Sequence, residues 1–219
     1  MSDVLYSTVH AVLRKFITVD CREGETGVMY LDRHDPPLVT TGCGNLIDPK
    51  PAALKLPWRF RRTKLPAGPD AVSAEWELVK ADVAHSNYRL SYWEARAVLE
   101  LAPETISKLF EDTVQTFQDG LARDFKDLGR RTADEQLGLM GMAWGLGPRF
   151  RAAGKYPRFC AAWDARDFAG MVRECSIKNP YHDLHDRVCF NNAAVVVARG
   201  MDPKLLRWPT DLSREGATA

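Results

Sequence analysis

A chain of 219 residues with 30 basic and 29 acidic side chains carries a formal charge of +1, and 45% of its residues are hydrophobic. These proportions exclude a disordered or collagen-like chain, and the near-neutral balance argues against a surface built throughout to hold nucleic acid or an anionic membrane. No run approaches the roughly 18 consecutive apolar residues of a membrane span, and Met1 to Val4 lack the charged and apolar regions of a secretory signal. The expectation is a single domain over residues 1–219, a monomer, without nucleic-acid binding or membrane insertion. Five cysteines (Cys21, Cys43, Cys160, Cys175 and Cys189) form no C-x-x-C pair. A zinc ribbon or thioredoxin-type site therefore has no support, and the preferred reading of the cysteines is small buried hydrophobes.

In chain order, Val4, Leu5, Val9, Val12, Leu13, Phe16 and Ile17 recur at helical spacing, with Arg14 and Lys15 on the other face, which predicts an amphipathic helix over 4–19. Val28 to Leu31 and Leu38 to Thr41 read as a short β-hairpin around Arg33-His34-Asp35-Pro36-Pro37, closed by Gly42-Cys43-Gly44-Asn45. Residues 48–73, rich in proline and holding the basic run Arg59 to Lys64, read as a surface excursion. It forms part of an insertion over about 49–87, and a helix is expected over 74–84. Ser91 and Glu94 form a capping-box pattern for a helix through Leu99 and Leu101, and a further helix is expected over 103–121. Thr132 and Glu135 form a second capping box, ahead of a segment to Trp144 that is apolar nearly all round and so reads as a buried central helix. Three more helical stretches follow at 156–163, 168–175 and 188–198, with Asn179-Pro180 as a break. The fold class expected is α+β, mostly α.

The segment from Asp20 to Asn45 sets Glu23 at a helix end, Asp32 just past a strand and Thr40 on the return strand. Glycoside hydrolysis needs two carboxyl groups flanking the scissile bond, one to donate a proton and one ionised. Spacing alone leaves capping or solvated carboxylates as the preferred reading. The run Glu23-Gly24-Glu25-Thr26-Gly27-Val28-Met29-Tyr30-Leu31-Asp32, followed by Thr40-Thr41-Gly42-Cys43-Gly44, resembles the E-G-x(5)-Y-x-D … T-x-G-x-G signature of phage-type lysozymes, the endolysin muramidases. The likeness continues in order through Ala143-Trp144-Gly145-Leu146-Gly147-Pro148, Tyr156 to Gly170, and Arg187-Val188-Cys189-Phe190-Asn191-Asn192-Ala193.

That resemblance implies a two-lobed lysozyme-like fold with a long helix near the middle of the chain, and a hydrolase of bacterial peptidoglycan that needs no metal or cofactor. It makes Glu23 the general acid, Asp32 the carboxylate that stabilises oxocarbenium charge or orients water, and Thr40 a hydroxyl helping to hold that water. A partly desolvated Glu23 is expected. Tyr30, Asn45, Trp144 and Arg187 are implied as substrate-binding or supporting residues, Trp144 on the opposite wall of a cleft and Arg187 near Glu23. Two departures stand out: Asn45 occupies a position where many family members carry histidine, and the hairpin tip is longer. The alternatives are a lytic transglycosylase, in which one glutamate suffices, and a non-catalytic module that binds glycan or a partner. Synthesis in the cytoplasm without a Sec signal implies release by a holin or a dedicated secretion machine, with a cognate immunity protein if the chain is a secreted effector. His182-Asp183-Leu184-His185-Asp186 offers two imidazoles and carboxylates but no identifiable further ligand, so it reads as a polar loop. The run Arg59 to Lys64 reads as a solvated loop.

Overall fold

The structure, a computed structural model, describes residues 4–32, 35–86, 88–178 and 180–208. Of the sequence expectations, Arg33 and His34 of the hairpin turn, Asn87 at the end of the insertion and Asn179 of the Asn-Pro break lie outside these residues. The fold is α+β and mostly helical, with a small antiparallel sheet in the first half. The chain divides into two compact units, Glu23–Val114 and a second made of Met1–Arg22 with Gln115–Ala219.

In the unit built from both ends of the chain, α1 (Ser7–Lys15) buries Val9 and Leu13 and ends with Arg14 and Lys15, where cations complement the helix dipole. A wider π turn, Phe16–Asp20, continues it and buries both Phe16 and Ile17. The central helix α5 (Ala133–Leu146) carries the expected capping box: Thr132 Oγ1 accepts the Glu135 N–H, and the Glu135 carboxylate accepts the Thr132 N–H. Its residues are buried from Ala133 to Ala143, so its polar side chains need partners inside the fold. Gln136 finds them in the Tyr6 N–H and in the Val4 and Leu128 carbonyls. Gly147 stops the helix at φ 84°, a conformation that favours glycine. Two shorter helices, α6 (Pro157–Ala165) and α7 (Phe168–Glu174), lead into α8 (Pro180–Ala198), which packs along α5.

In the other unit, β1 (Thr26–Leu31), β2 (Val39–Gly42) and β3 (Asn45–Leu46) form an antiparallel sheet in that order, with Tyr30 opposite Thr40 and Leu31 opposite Val39. The expected hairpin is thus extended by a third, two-residue strand. A second sheet pairs β4 (Arg59–Phe60) with β5 (Leu99–Glu100). Helices α2 (Pro69–Ala81) and α3 (Leu90–Arg96) pack on β1, and α4 (Pro103–Asp124) begins in this unit and carries the chain into the other. Val28, Met29, Leu31 and Val39 share one core with Trp58, Val72, Val79, Trp93, Leu99 and Leu101.

Several expectations are corrected here. The 48–73 segment is no mere surface excursion: its prolines shape the path, but Ala53, Trp58 and Val72 enter the core, and the Trp58 indole N–H donates to the Ala53 carbonyl. Helix α2 starts at Pro69, because proline suits the first helical turn, where its missing N–H has no partner to lose. Ser91 and Glu94 form no capping box: α3 begins at Leu90, and Glu94 instead accepts a hydrogen bond from Thr26 Oγ1 at 2.8 Å. Leu99 lies in a strand, fixed by pairing with Phe60 and by the Glu75 carboxylate, which accepts the Val98 and Leu99 N–H groups. Arg59, Arg61 and Lys64 of the basic run all converge on the single carboxylate of Glu100, which ties the run to β5 while offsetting one of its four charges. Finally, His182 to Asp186 is not a loop but the opening turns of α8, with His182 and Asp186 fully buried.

Candidate functional site

The chain reaches Glu23 through a tight backbone reversal. Arg22 adopts a left-handed conformation with φ 57° and Gly24 one with φ 74°, so the residues on both sides of Glu23 lie in the region that favours glycine. A side chain at position 24 would also meet Leu90 Cδ1, 2.7 Å from where its Cβ would stand. Arg22 is held in this conformation by its own side chain, whose guanidinium lies over the Tyr181 ring and donates to the Tyr181 hydroxyl. Glu23 itself is half-buried.

Asp32 follows the last residue of β1, at the mouth of the hairpin. Its backbone N–H donates to the Leu38 carbonyl, and its Oδ1 accepts the Leu38 N–H at 3.0 Å. Oδ2 receives Thr40 Oγ1 at 3.3 Å. One carboxylate thereby clasps both sides of the returning strand. Thr40 is only 2% exposed, and its hydroxyl is directed at Asp32 and at the Leu38 carbonyl, 3.2 Å away. This hydroxyl orients Asp32. The start of β2 is fixed again from its other side, where Asp48 accepts the Val39 N–H and pairs with Lys80, which also donates to the Pro37 carbonyl.

Tyr30 lies on β1 between the two acids in sequence. It sits opposite Thr40 in the sheet, and its phenol is pushed well above the ordinary range by burial first and then by Cys43 and the carboxylates of Glu23 and Asp32. A backbone hydrogen bond from Gly44 opposes that shift. Asn45 serves the turn: its Oδ1 accepts the Cys43 N–H, and its Nδ2 donates to Thr113 Oγ1 on α4. Gly42, at φ 60°, leaves room for that amide, because a Cβ there would stand 2.4 Å from Asn45 Oδ1.

Glu23, Tyr30, Asp32, Thr40 and Asn45 thus belong to one unit, and Trp144 and Arg187 to the other. Trp144 is half-buried near the end of α5, tilted against Phe117 at 5.1 Å. Arg187 is exposed on α8; the nearby Cys175 thiol donates to the Val172 carbonyl and is pushed up to about 12 by burial, reinforced by the charge of Asp186 and opposed by that of Arg187. All five cysteines are buried as thiols. The sequence reading missed the position of Cys21, whose sulfur meets His182 and Asp186 with all three side chains buried. No spacing signal could have shown this, because Cys21 and His182 stand at opposite ends of the chain. No known protein-family model, curated protein or solved structure matches the chain.

Proposed function

We propose that this protein is a peptidoglycan hydrolase, a muramidase that cleaves the β-1,4 bond between N-acetylmuramic acid and N-acetylglucosamine. The observation that carries the reading is the hairpin mouth. There, Thr40 and Leu38 hold the Asp32 carboxylate, and Glu23 lies half-buried in the same unit. These are the residues through which the sequence resembles phage-type lysozymes.

In this reading Glu23 donates its proton to the glycosidic oxygen as the bond to the anomeric carbon breaks, and Asp32 stabilises the positive charge that develops there. Water then adds to the anomeric carbon and returns a proton to Glu23. Thr40 is a positioning residue, since its hydroxyl sets the orientation of Asp32. Bacterial peptidoglycan is the partner, reached after holin release or dedicated secretion, and an immunity protein is expected if the chain is a secreted effector.

The test is mass spectrometry of fragments released from purified peptidoglycan by the wild type and by Glu23→Gln. Reducing-end muramic acid from the wild type alone supports the proposal. Anhydro-muramic acid would reassign the chain to the lytic transglycosylases, which need no counterpart of Asp32. Folded wild-type protein that binds sacculi yet releases nothing would make it a binding module.

A further inference from the structure

We propose that Cys21, His182 and Asp186 form a binding site for a zinc-like divalent transition metal ion. The cluster lies within the unit built from both chain ends and does not rest on the hydrolase reading. The π turn delivers Cys21 at its end, and α8 presents His182 and Asp186 one helical turn apart on a single face. One ligand atom from each residue lies within 4.8 Å of the others, and His182 Nδ1 stands 3.9 Å from Asp186 Oδ2. The latter distance is too long for a hydrogen bond. Ligands of tetrahedral zinc stand about 3.3–3.6 Å apart, as follows from bonds of about 2.0–2.3 Å, so closing on an ion requires only small side-chain movements.

A second observation points to a cation. Asp186 is fully buried, and neither carboxylate oxygen has a hydrogen-bond partner among the described residues. A buried carboxylate left so is costly, and a divalent ion removes the cost by supplying the missing charge. Gly141 on α5 makes room for the carboxylate itself, since a Cβ there would fall 2.2 Å from Asp186 Oδ1. Thiolate, carboxylate and neutral imidazole together carry two negative charges, which balance one divalent cation. The mixture of sulfur, nitrogen and oxygen donors suits zinc or cobalt(II) rather than calcium or magnesium. Cys21 stands two residues before Glu23, so an ion here would anchor the chain where it enters the other unit.

The experiment uses the full chain without a histidine tag, purified under reducing conditions, stripped with chelator and titrated with cobalt(II). The expected result is one cobalt per chain, with tetrahedral ligand-field bands and a thiolate-to-cobalt charge-transfer band that zinc abolishes. Zinc at a hundredfold excess over its dissociation constant should raise the wild-type Tm by roughly 5–10 °C. Asp186→Asn should weaken zinc binding at least tenfold, and Cys21→Ser should remove the charge-transfer band. Wild-type protein that takes up less than about a tenth of an equivalent, or binds cobalt without a thiolate band, overturns the proposal on a readout independent of any variant. A full band in Cys21→Ser would overturn it too, by assigning the ion to other thiols.

Discussion

Replacing Arg131 by methionine should unfold the protein at a markedly lower temperature, and the structure shows where the cost arises. The Arg131 side chain is 1% exposed and donates to Asp127 Oδ2 at 2.6 Å, Glu135 Oε1 at 2.9 Å and the Trp163 carbonyl at 2.7 Å, with its guanidinium 4.5 Å from the Trp163 ring. Asp127 is 46% exposed and would return to water at little cost. Glu135 cannot, because it is fully buried and, among the described residues, would retain the Thr132 N–H alone, on its other oxygen. Stranding a buried charge in this way costs about 3–5 kcal/mol, and the abandoned Trp163 carbonyl adds about 1 kcal/mol. At roughly 2–4 °C per kcal/mol, the expected fall in Tm is about 8–24 °C. Adding Glu135→Gln removes the stranded charge while keeping an acceptor for the Thr132 N–H, so the double variant should recover about half of the loss. Urea and thermal unfolding followed by tryptophan fluorescence measure both. A single-variant loss below about 1 kcal/mol, or a double variant no more stable than Arg131→Met, would refute the argument.

Glu23→Gln should lower the release of peptidoglycan fragments by about 10²–10⁴, the range for loss of a general acid, with thermal stability unchanged. Thr40→Val, which keeps the shape of the buried side chain but deletes the hydroxyl, should lower kcat more than it alters KM, and Thr40→Ser should restore much of it; equal activity in Val and Ser variants would discard the orienting role. Burial raises Asp134 from 3.8 to about 6, against the opposing hydrogen bonds from Arg207, Asn192 and Trp208. The folded state therefore binds more protons than the unfolded one between those values, and stability falls as pH rises through that window, by about 3 kcal/mol in all. Asp134→Asn should flatten this part of the profile in urea titrations across the window, and an unchanged slope would count against it. Burial likewise raises Glu75 from 4.5 to about 7, despite the Leu99 and Val98 N–H groups and Arg61, so the wild-type decline should continue to about that pH and Glu75→Gln should shorten it.

Features specified within a few residues were legible in the sequence. The amphipathic spacing of α1, the Thr132 and Glu135 box and the all-round apolar face of α5 are each local, and the structure contains all three. The Glu23, Asp32 and Thr40 pattern lies within one short stretch, which is why it could be read at all, and the clasp between Asp32 and Thr40 is a contact across a single hairpin. What escaped depends on distant partners. Leu99 continues a helical pattern in sequence and becomes a strand because Phe60 and the Glu75 carboxylate lie beside it. His182 and Asp186 look like solvated residues because polarity is visible in a sequence, whereas Cys21 and Gly141, which surround them in space, are not their neighbours in the chain. Trp58, set among prolines and arginines, shows the same effect, since its burial is decided by the sheet and helices that follow.

The division of the chain also dictates an order of assembly. Residues 23–114 form a contiguous unit with its own core, complete as soon as Val114 has been made. The first 22 residues belong to a unit whose remainder begins at Gln115, so α1 must wait for α5 before its contacts exist. The hydrogen bond from the Tyr6 N–H to Gln136 spans 130 residues. Such a closure is slow for an open chain, but its entropic penalty shrinks once the intervening segment has collapsed into a folded body. On a ribosome adding about 5–20 residues per second, the inserted unit has seconds in which to fold before its counterpart is available. Damage to the core around Trp58 and Trp93 would therefore delay the joining of the two chain ends as well as loosen the hairpin that carries Asp32.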